Sequence, residues 1–189
     1  MKKIFLLLAF WAAFNSSAQS NWKADPNHSK LSFGITHLGL ATIDGNFNKF
    51  TAAATTGAAD FSDATFELSA ETASIDTDVE ARDKHLRSSD FFDVEKFPTM
   101  TFKSSSIRKV GTDRYQISGI LTLHGIAKAV TLDMWYRSTL VNPMSKATTA
   151  GAQFTGVIKR SDFMIGPDFP EPMLSDQVMI KADVEFIRQ

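Results

Sequence analysis

The chain has 189 residues, 20 Lys+Arg against 21 Asp+Glu, no cysteine, and 16 Phe against 2 Tyr. A formal charge of −1 argues against a nucleic-acid-binding protein, which carries a basic stripe and a high pI. Zero cysteines exclude disulfides, thiolate metal sites, a Cys nucleophile and a lipidated N-terminal Cys.

The first element reads as a targeting segment. Met1-Lys2-Lys3 is a short basic start, Ile4 to Phe14 is an unbroken apolar run, and Ser16 and Ala18 stand where a signal peptidase requires small residues. The expectation is a secretory signal peptide over residues 1–18 and one mature domain over 19–189. As a helix the apolar run spans about 16 Å, too short for a bilayer core of about 30 Å. Removing residues 1–18 takes away two lysines and no acid, so the mature charge moves to −3. Export without disulfides points to a bacterial periplasm, with secretion as the alternative. No later stretch approaches 18 apolar residues, so no membrane span is expected in the mature chain.

Most of the mature sequence alternates with period two, the signature of half-buried strands. Leu31, Phe33, Ile35 and His37 share one face, and after the turn Leu38-Gly39 the pattern continues through Ile43, Gly45 and Phe47. Further runs carry Phe66/Leu68/Ala70, Met100/Phe102, Tyr115/Ile117/Gly119/Leu121/Leu123 and Val130/Leu132/Met134/Tyr136. The last are Phe154/Gly156/Ile158 and Val178/Ile180/Ala182/Val184/Phe186, and Ser138 to Ala150 reads as a long polar loop. About eight strands joined by short turns, with no long helix between them, predict an all-β fold: an antiparallel barrel or sandwich. One segment breaks the rhythm. Asp76 to Lys96 lacks alternation; with Asp78 as cap and Val79, Arg82 and Leu86 at helical spacing, it predicts a short helical crossover closing one barrel end.

Four histidines and many carboxylates do not assemble into a recognisable reaction centre. No two histidines have zinc-ligand spacing, the acidic crossover lacks the alternating acids and central Gly of a calcium loop, and no G-x-S-x-G or phosphate-binding loop occurs. No metal and no cofactor is expected. His37 falls on the same face as Phe33 and Ile35, so it must find either a structural partner or a ligand head group. His124, in the turn before Gly125, is expected to be structural. Thirteen Phe remain after residue 18, and Phe suits either a packed core or a dry lipid tunnel because it has no hydroxyl to satisfy.

These segments resemble the YceI-like family of lipid- and polyisoprenoid-binding proteins. The resemblance is carried by His28-Ser29, Phe33, His37-x-Gly39 and Gly45-x-Phe47, then by Ser74-Ile75-Asp76-Thr77 and the stretch Arg82-Asp83-Lys84-His85-Leu86-Arg87-Ser88-x-Asp90-Phe91-Phe92-Asp93. Phe97-Pro98-Thr99-x-Thr101-Phe102-x-Ser104, Gly119-x-Leu121-Thr122-x-His124-Gly125 and Arg160-Ser161-Asp162-Phe163 follow in order, so that it covers about residues 22–187. Two departures stand out: Ala127-Lys128-Ala129 where the family commonly has Thr-Lys-Pro, and Met164 where it favours Gly, which could narrow or reshape a nearby cavity.

The resemblance implies an elongated eight-stranded antiparallel lipocalin-like barrel with an internal hydrophobic tunnel. It implies a periplasmic binding or carrier protein without catalytic activity. Its partner would be a long-chain amphiphilic lipid, a polyisoprenoid or quinone-like ligand, in isoprenoid-quinone metabolism, transport or stress response. Strand parity then assigns Phe33, Ile35, His37, Phe47, Phe102, Ile117, Leu121, Leu132, Phe154, Ile180 and Val184 to the tunnel lining. Arg82, Asp83, His85 and Asp90 are expected to brace the crossover as a lid or floor. Two alternatives stay open: an enzyme acting on an isoprenoid or hydrophobic amide through His37 or His85, and a stress-linked structural protein whose barrel is filled. The sequence leaves the oligomeric state open, a dimer included.

Overall fold

A computed structural model describes residues 19–189, so the signal-peptide expectation for residues 1–18 lies outside the described residues. Eleven strands and one short helix follow in chain order: β1 (Ser20–Ala24), β2 (Lys30–His37), β3 (Ala41–Phe47), β4 (Phe50–Thr56), β5 (Thr65–Glu71), β6 (Ile75–Asp76), α1 (Glu80–Arg87), β7 (Thr99–Gly111), β8 (Arg114–Leu123), β9 (Ile126–Val141), β10 (Thr148–Lys159) and β11 (Leu174–Arg188). Eight of them close a ring in the order β1-β4-β5-β7-β8-β9-β10-β11, with β11 returning to β1. Every neighbouring pair is antiparallel, as hairpin-connected strands require. At about 3.3 Å per residue β11 runs nearly 50 Å, which makes the barrel elongated.

β11 is shared between two partners, and this sharing gives the barrel two different ends. Its last residues pair with β1 (Phe186 opposite Ala24), whereas its first two-thirds pair with β2 (Ile180 opposite Phe33). β2 pairs with β3 and β3 with the two-residue β6, so the sheet flares where β11 passes from β1 to β2. The helix α1 fills the flare. Two arginines hold it there: Arg87 donates to the carbonyls of Ala73 and Ile75 at 3.0 and 2.9 Å, and Arg82 donates to the carbonyl of Thr77 at 2.6 Å.

The opposite end is filled. The loop between β4 and β5 folds inward and buries Phe61 and Ala64, each 2% exposed. Phe61 stacks on Tyr136 with ring centroids 5.5 Å apart and meets Trp22 at 5.1 Å. Both tyrosines of the chain sit here because here their hydroxyls find partners. Tyr115 donates to Asp60 Oδ2 at 3.1 Å, and Tyr136 donates to Thr139 Oγ1 at 2.9 Å. Asp63 gathers the loop by accepting from the backbone N–H groups of Gly57 and Ala58 and from the Thr56 hydroxyl. The indole Nε1 of Trp22 is the one buried side-chain polar atom without a partner among the described residues.

Three sequence expectations need correction. The stretch Ser138 to Ala150 is strand at both ends: β9 continues to Val141, where the ladder runs on through exposed side chains without alternation, and β10 begins at Thr148, where Thr149 and Ala150 are both buried. β1 and β4 were not anticipated; the two central inward positions of β4 are Ala52 and Ala54, too small to mark a face. Asp78 does not cap α1. It sits at φ +63° with its N–H donating to Asp76 Oδ1, and Val79 takes the N-cap position without a side-chain bond.

The loop between β10 and β11 depends on one residue. Arg160, 6% exposed, donates from Nε to Ser175 O, from Nη1 to Ile165 O and Gly166 O, and from Nη2 to Leu174 O and Phe169 O. All five guanidinium N–H groups are thereby used on backbone carbonyls of one loop. Arg160→Met should lower the unfolding free energy by about 3 kcal/mol or more, read from the urea midpoint at unchanged slope.

The filled end should also confer an acid limit. Asp60 is held well below the usual carboxylate range by hydrogen bonds from Ser62, Lys109 and Tyr115, and Asp63 is lowered chiefly by the Thr56 hydroxyl. Stability from a lowered carboxylate is complete above its unfolded value near ~4 and is lost as pH falls through the folded value. An Asp60→Asn/Asp63→Asn variant should therefore lose less stability than the parent between pH 5 and pH 2, measured by denaturation at each pH.

Candidate functional site

Between the filled end and α1 the barrel encloses a cavity of about 440 Å³. Its floor is a trio of rings: Phe66 lies 5.1 Å from Phe154 and 6.1 Å from Phe186, edge-on or tilted, as aromatic quadrupoles prefer. Above the floor the wall is made by inward residues of successive strands, among them Leu31, Phe33 and Ile35 from β2, Met100 and Phe102 from β7, Leu121 and Leu123 from β8, Val130 and Leu132 from β9, and Ile180, Ala182 and Val184 from β11. Phe102 leans over Gly119, where a Cβ would come within 2.6 Å of its ring. Gly45 does the same for Phe33, whose Cζ would lie 2.4 Å from a Cβ there. These two glycines let large rings lie flat against the wall and keep the bore open.

The mouth lies at the α1 end, where the lining residues His37, His85 and Met173 are exposed while Phe66, Val184 and Phe186 at depth are buried. Two elements frame it. On one side α1 presents Arg82, His85 and Leu86, which share a helical face by their i, i+3, i+4 spacing. On the other side stands the loop held by Arg160. Phe91 and Phe169 stack across the gap at 4.8 Å, and the His85 ring sets its edge against both at 5.0 and 5.6 Å. His85 Nε2 meets Asp90 Oδ2 at 2.9 Å, so the imidazole is spent on holding this junction. Asp83, 3% exposed, accepts the N–H and hydroxyl of Thr77.

The structure brings Phe33, Ile35, His37, Phe47, Phe102, Leu121, Leu132, Phe154, Ile180 and Val184 to this one cavity. It leaves out Ile117. That residue is inward but lies two positions nearer the filled end than Gly119, fully buried beside Tyr115 and Met134. Arg82 and His85 line the cavity; Asp83 and Asp90 touch it only through Thr77 and His85. His37 stands at the rim, exposed, with no side-chain hydrogen bond to a described residue. Met164 is outside the cavity and 57% exposed at φ +55°, a left-handed position that explains a preference for Gly there better than cavity size does. Ala127 and Ala129 are exposed on β9. His124 is structural: its Nδ1 donates to Phe163 O at 3.0 Å and its ring packs on Phe97.

Among the lining residues not anticipated are Phe66, Phe169, Met173 and Arg160. Phe66 was visible on an inward face, whereas Phe169 and Met173 lie in a loop with no periodicity to read. Among the described residues no cluster of His, Asp or Glu has the geometry of a metal site, and no helix is long and apolar enough to cross a membrane.

Comparison with known proteins agrees with this geometry. The profile of the YceI-like domain matches residues 22–186. A UPF0312 protein of Pectobacterium carotovorum is 36% identical over 194 aligned positions, covering all of this chain and 99% of that one. A UPF0312 protein of Staphylococcus aureus is 33% identical, covering 88% and 94%. Among solved structures, BcnA of Burkholderia cenocepacia superposes with a TM-score of 0.77 at 26% identity, covering 86% of this chain and 98% of that one. A polyisoprenoid binding domain from Saccharophagus degradans, implicated in plant cell wall breakdown, shares the fold with a TM-score of 0.69 at 16% identity over 89% and 98%.

The division between filled end and cavity is measurable. Ile117→Ala should cost about 2–5 kcal/mol, whereas Leu132→Ala, which removes a side chain already facing a void, should cost less than half of that; paired denaturation curves decide it.

Proposed function

The chain belongs to the YceI-like domain family, and on that premise we propose that it is a binding or carrier protein that holds a polyisoprenoid or similar long-chain amphiphile in its interior. The observation that carries this reading is the apolar cavity of about 440 Å³, within the range of about 300–1,000 Å³ usual for small-molecule sites. Left empty, such a void is costly, because its lining forfeits dispersion contacts on one side, and an apolar chain restores them. The name of the Saccharophagus degradans domain, polyisoprenoid binding, supports the same ligand class.

Burying ten methylene equivalents would contribute about 8 kcal/mol gross, before association costs of about 4–15 kcal/mol. Length and branching of the chain would then decide affinity, since each added methylene that stays inside the bore counts again. We place the protein in the periplasm, on the strength of the basic start and apolar run of residues 1–14 and the absence of cysteine. We assign it no catalytic step: His85 is committed to Asp90, and His37 has no side-chain hydrogen-bond partner among the described residues.

Protein purified from its native compartment should carry a co-purifying amphiphile that organic extraction and mass spectrometry identify. Repeated recovery of empty protein that also fails to bind prenyl-chain probes would overturn the reading. Phe102→Glu, which puts an unpaired charge in the wall, should weaken probe binding by about 100-fold or more in a protein whose far-ultraviolet spectrum is unchanged.

A further inference from the structure

The mouth carries charge that the apolar interior does not account for. Arg82 lines the cavity with one edge of its guanidinium fixed: Nε donates to Thr77 Oγ1 at 2.7 Å and Nη2 to Thr77 O at 2.6 Å. Thr77 is itself held, its hydroxyl and backbone N–H both donating to Asp83 Oδ1 at 2.5 and 2.9 Å. Thr77 and Asp83 are 4% and 3% exposed, so this relay is dry and its geometry is set by packing as well as by hydrogen bonds. The other edge is unspent: Nη1 has no partner among the described residues, and Arg82 enters no ion pair there.

The neighbouring charges do not complete it. Arg160, also in the lining, is a second cation, and its five donors are all on backbone carbonyls. His85 is bound to Asp90. Glu67 pairs with Lys103 at 2.9 Å on the outer face of β5 and β7. Asp83 offsets Arg82 only through the intervening hydroxyl of Thr77. The Asp176 carboxylate faces Arg160 from the loop side, so Arg82 is the guanidinium of the lining that no carboxylate answers among the described residues. Such an arrangement favours an anion, because attraction is strong where the dielectric is low and because a planar guanidinium edge matches an oxyanion.

We propose that the free edge of Arg82 receives an oxyanion head group, a carboxylate or a phosphate, of the bound amphiphile. Thr77 and Asp83 are then positioning residues that fix the guanidinium before the ligand arrives. The proposal rests on the chain-binding reading above and adds to it the chemical class of the head group.

Three probes with the same sixteen-carbon chain test it on the full mature chain by calorimetry: hexadecanoate, hexadecyl phosphate and hexadecan-1-ol. At least one anion should bind about 10- to 100-fold more tightly than the alcohol, and the tighter of the two identifies the head group. Arg82→Met should bring that anion to the level of the alcohol, read as the ratio of the two affinities in the same variant. Equal binding of alcohol and both anions by the parent overturns the head-group proposal and leaves the chain-binding reading standing; so does an anion preference that survives Arg82→Met. Failure of all three probes to bind overturns both. Should Arg82→Met not fold, Arg82→Lys carries the test, since an ammonium keeps the charge and loses the fork: the preference should shrink about tenfold, and an unchanged preference overturns the proposal.

Discussion

A closed ring of backbone hydrogen bonds sets the bore of this protein, and everything inside must conform to it. Eight strands fix a diameter just wide enough for side chains to fill or for one slender ligand to occupy. The chain uses both outcomes in one barrel. Below the Phe66–Phe154–Phe186 floor, Trp22, Phe61, Tyr115, Ile117 and Met134 fill the space; above it, smaller or flattened side chains leave it open. Hydrophobic packing could relieve the open half only by breaking the ladder, so the ring is what keeps the cavity from collapsing.

The mouth follows from how the ring ends. Because β11 passes from β1 to β2 along its length, the sheet flares at one end and leaves backbone groups that a ladder would otherwise have satisfied. Arginine side chains satisfy them instead: Arg82 and Arg87 tie α1 to the chain before it, and Arg160 gathers the facing loop. A planar cation with five fixed donors suits this work, since carbonyls converge on it from several directions and none need be left dry and unpaired. The same side chains put positive charge around an apolar opening, so structural need and head-group preference have one origin.

Strand faces were legible in the sequence, and depth was not. Alternation put Phe33, Leu121, Leu132 and Ile180 inside because period two is a local property of each strand. It could not separate Ile117 from Leu121, since the height of a residue along the barrel depends on register with neighbours distant in sequence. β4 escaped notice because Ala52 and Ala54 give a weak alternation, yet those small residues are where the interior needs room. Arg160 looked like part of a short polar motif; its role appears only when the carbonyls of residues 165–175 are brought to it by the loop. Asp78 shows the converse: a good capping residue by type, it is set aside because its own backbone turns left-handed.

The excess of Phe over Tyr has a positional explanation. Both tyrosines lie at the filled end, where Asp60 and Thr139 accept their hydroxyls, and the open half is lined with Phe because no partner is available there. That filled end has a further consequence. A sleeve stopped at the bottom has a single doorway, so whatever enters must slide past the solvent it expels, tail leading and head trailing. The pace of entry then belongs to the lip, where Phe91 and Phe169 meet, while lip and walls together decide how long a guest stays.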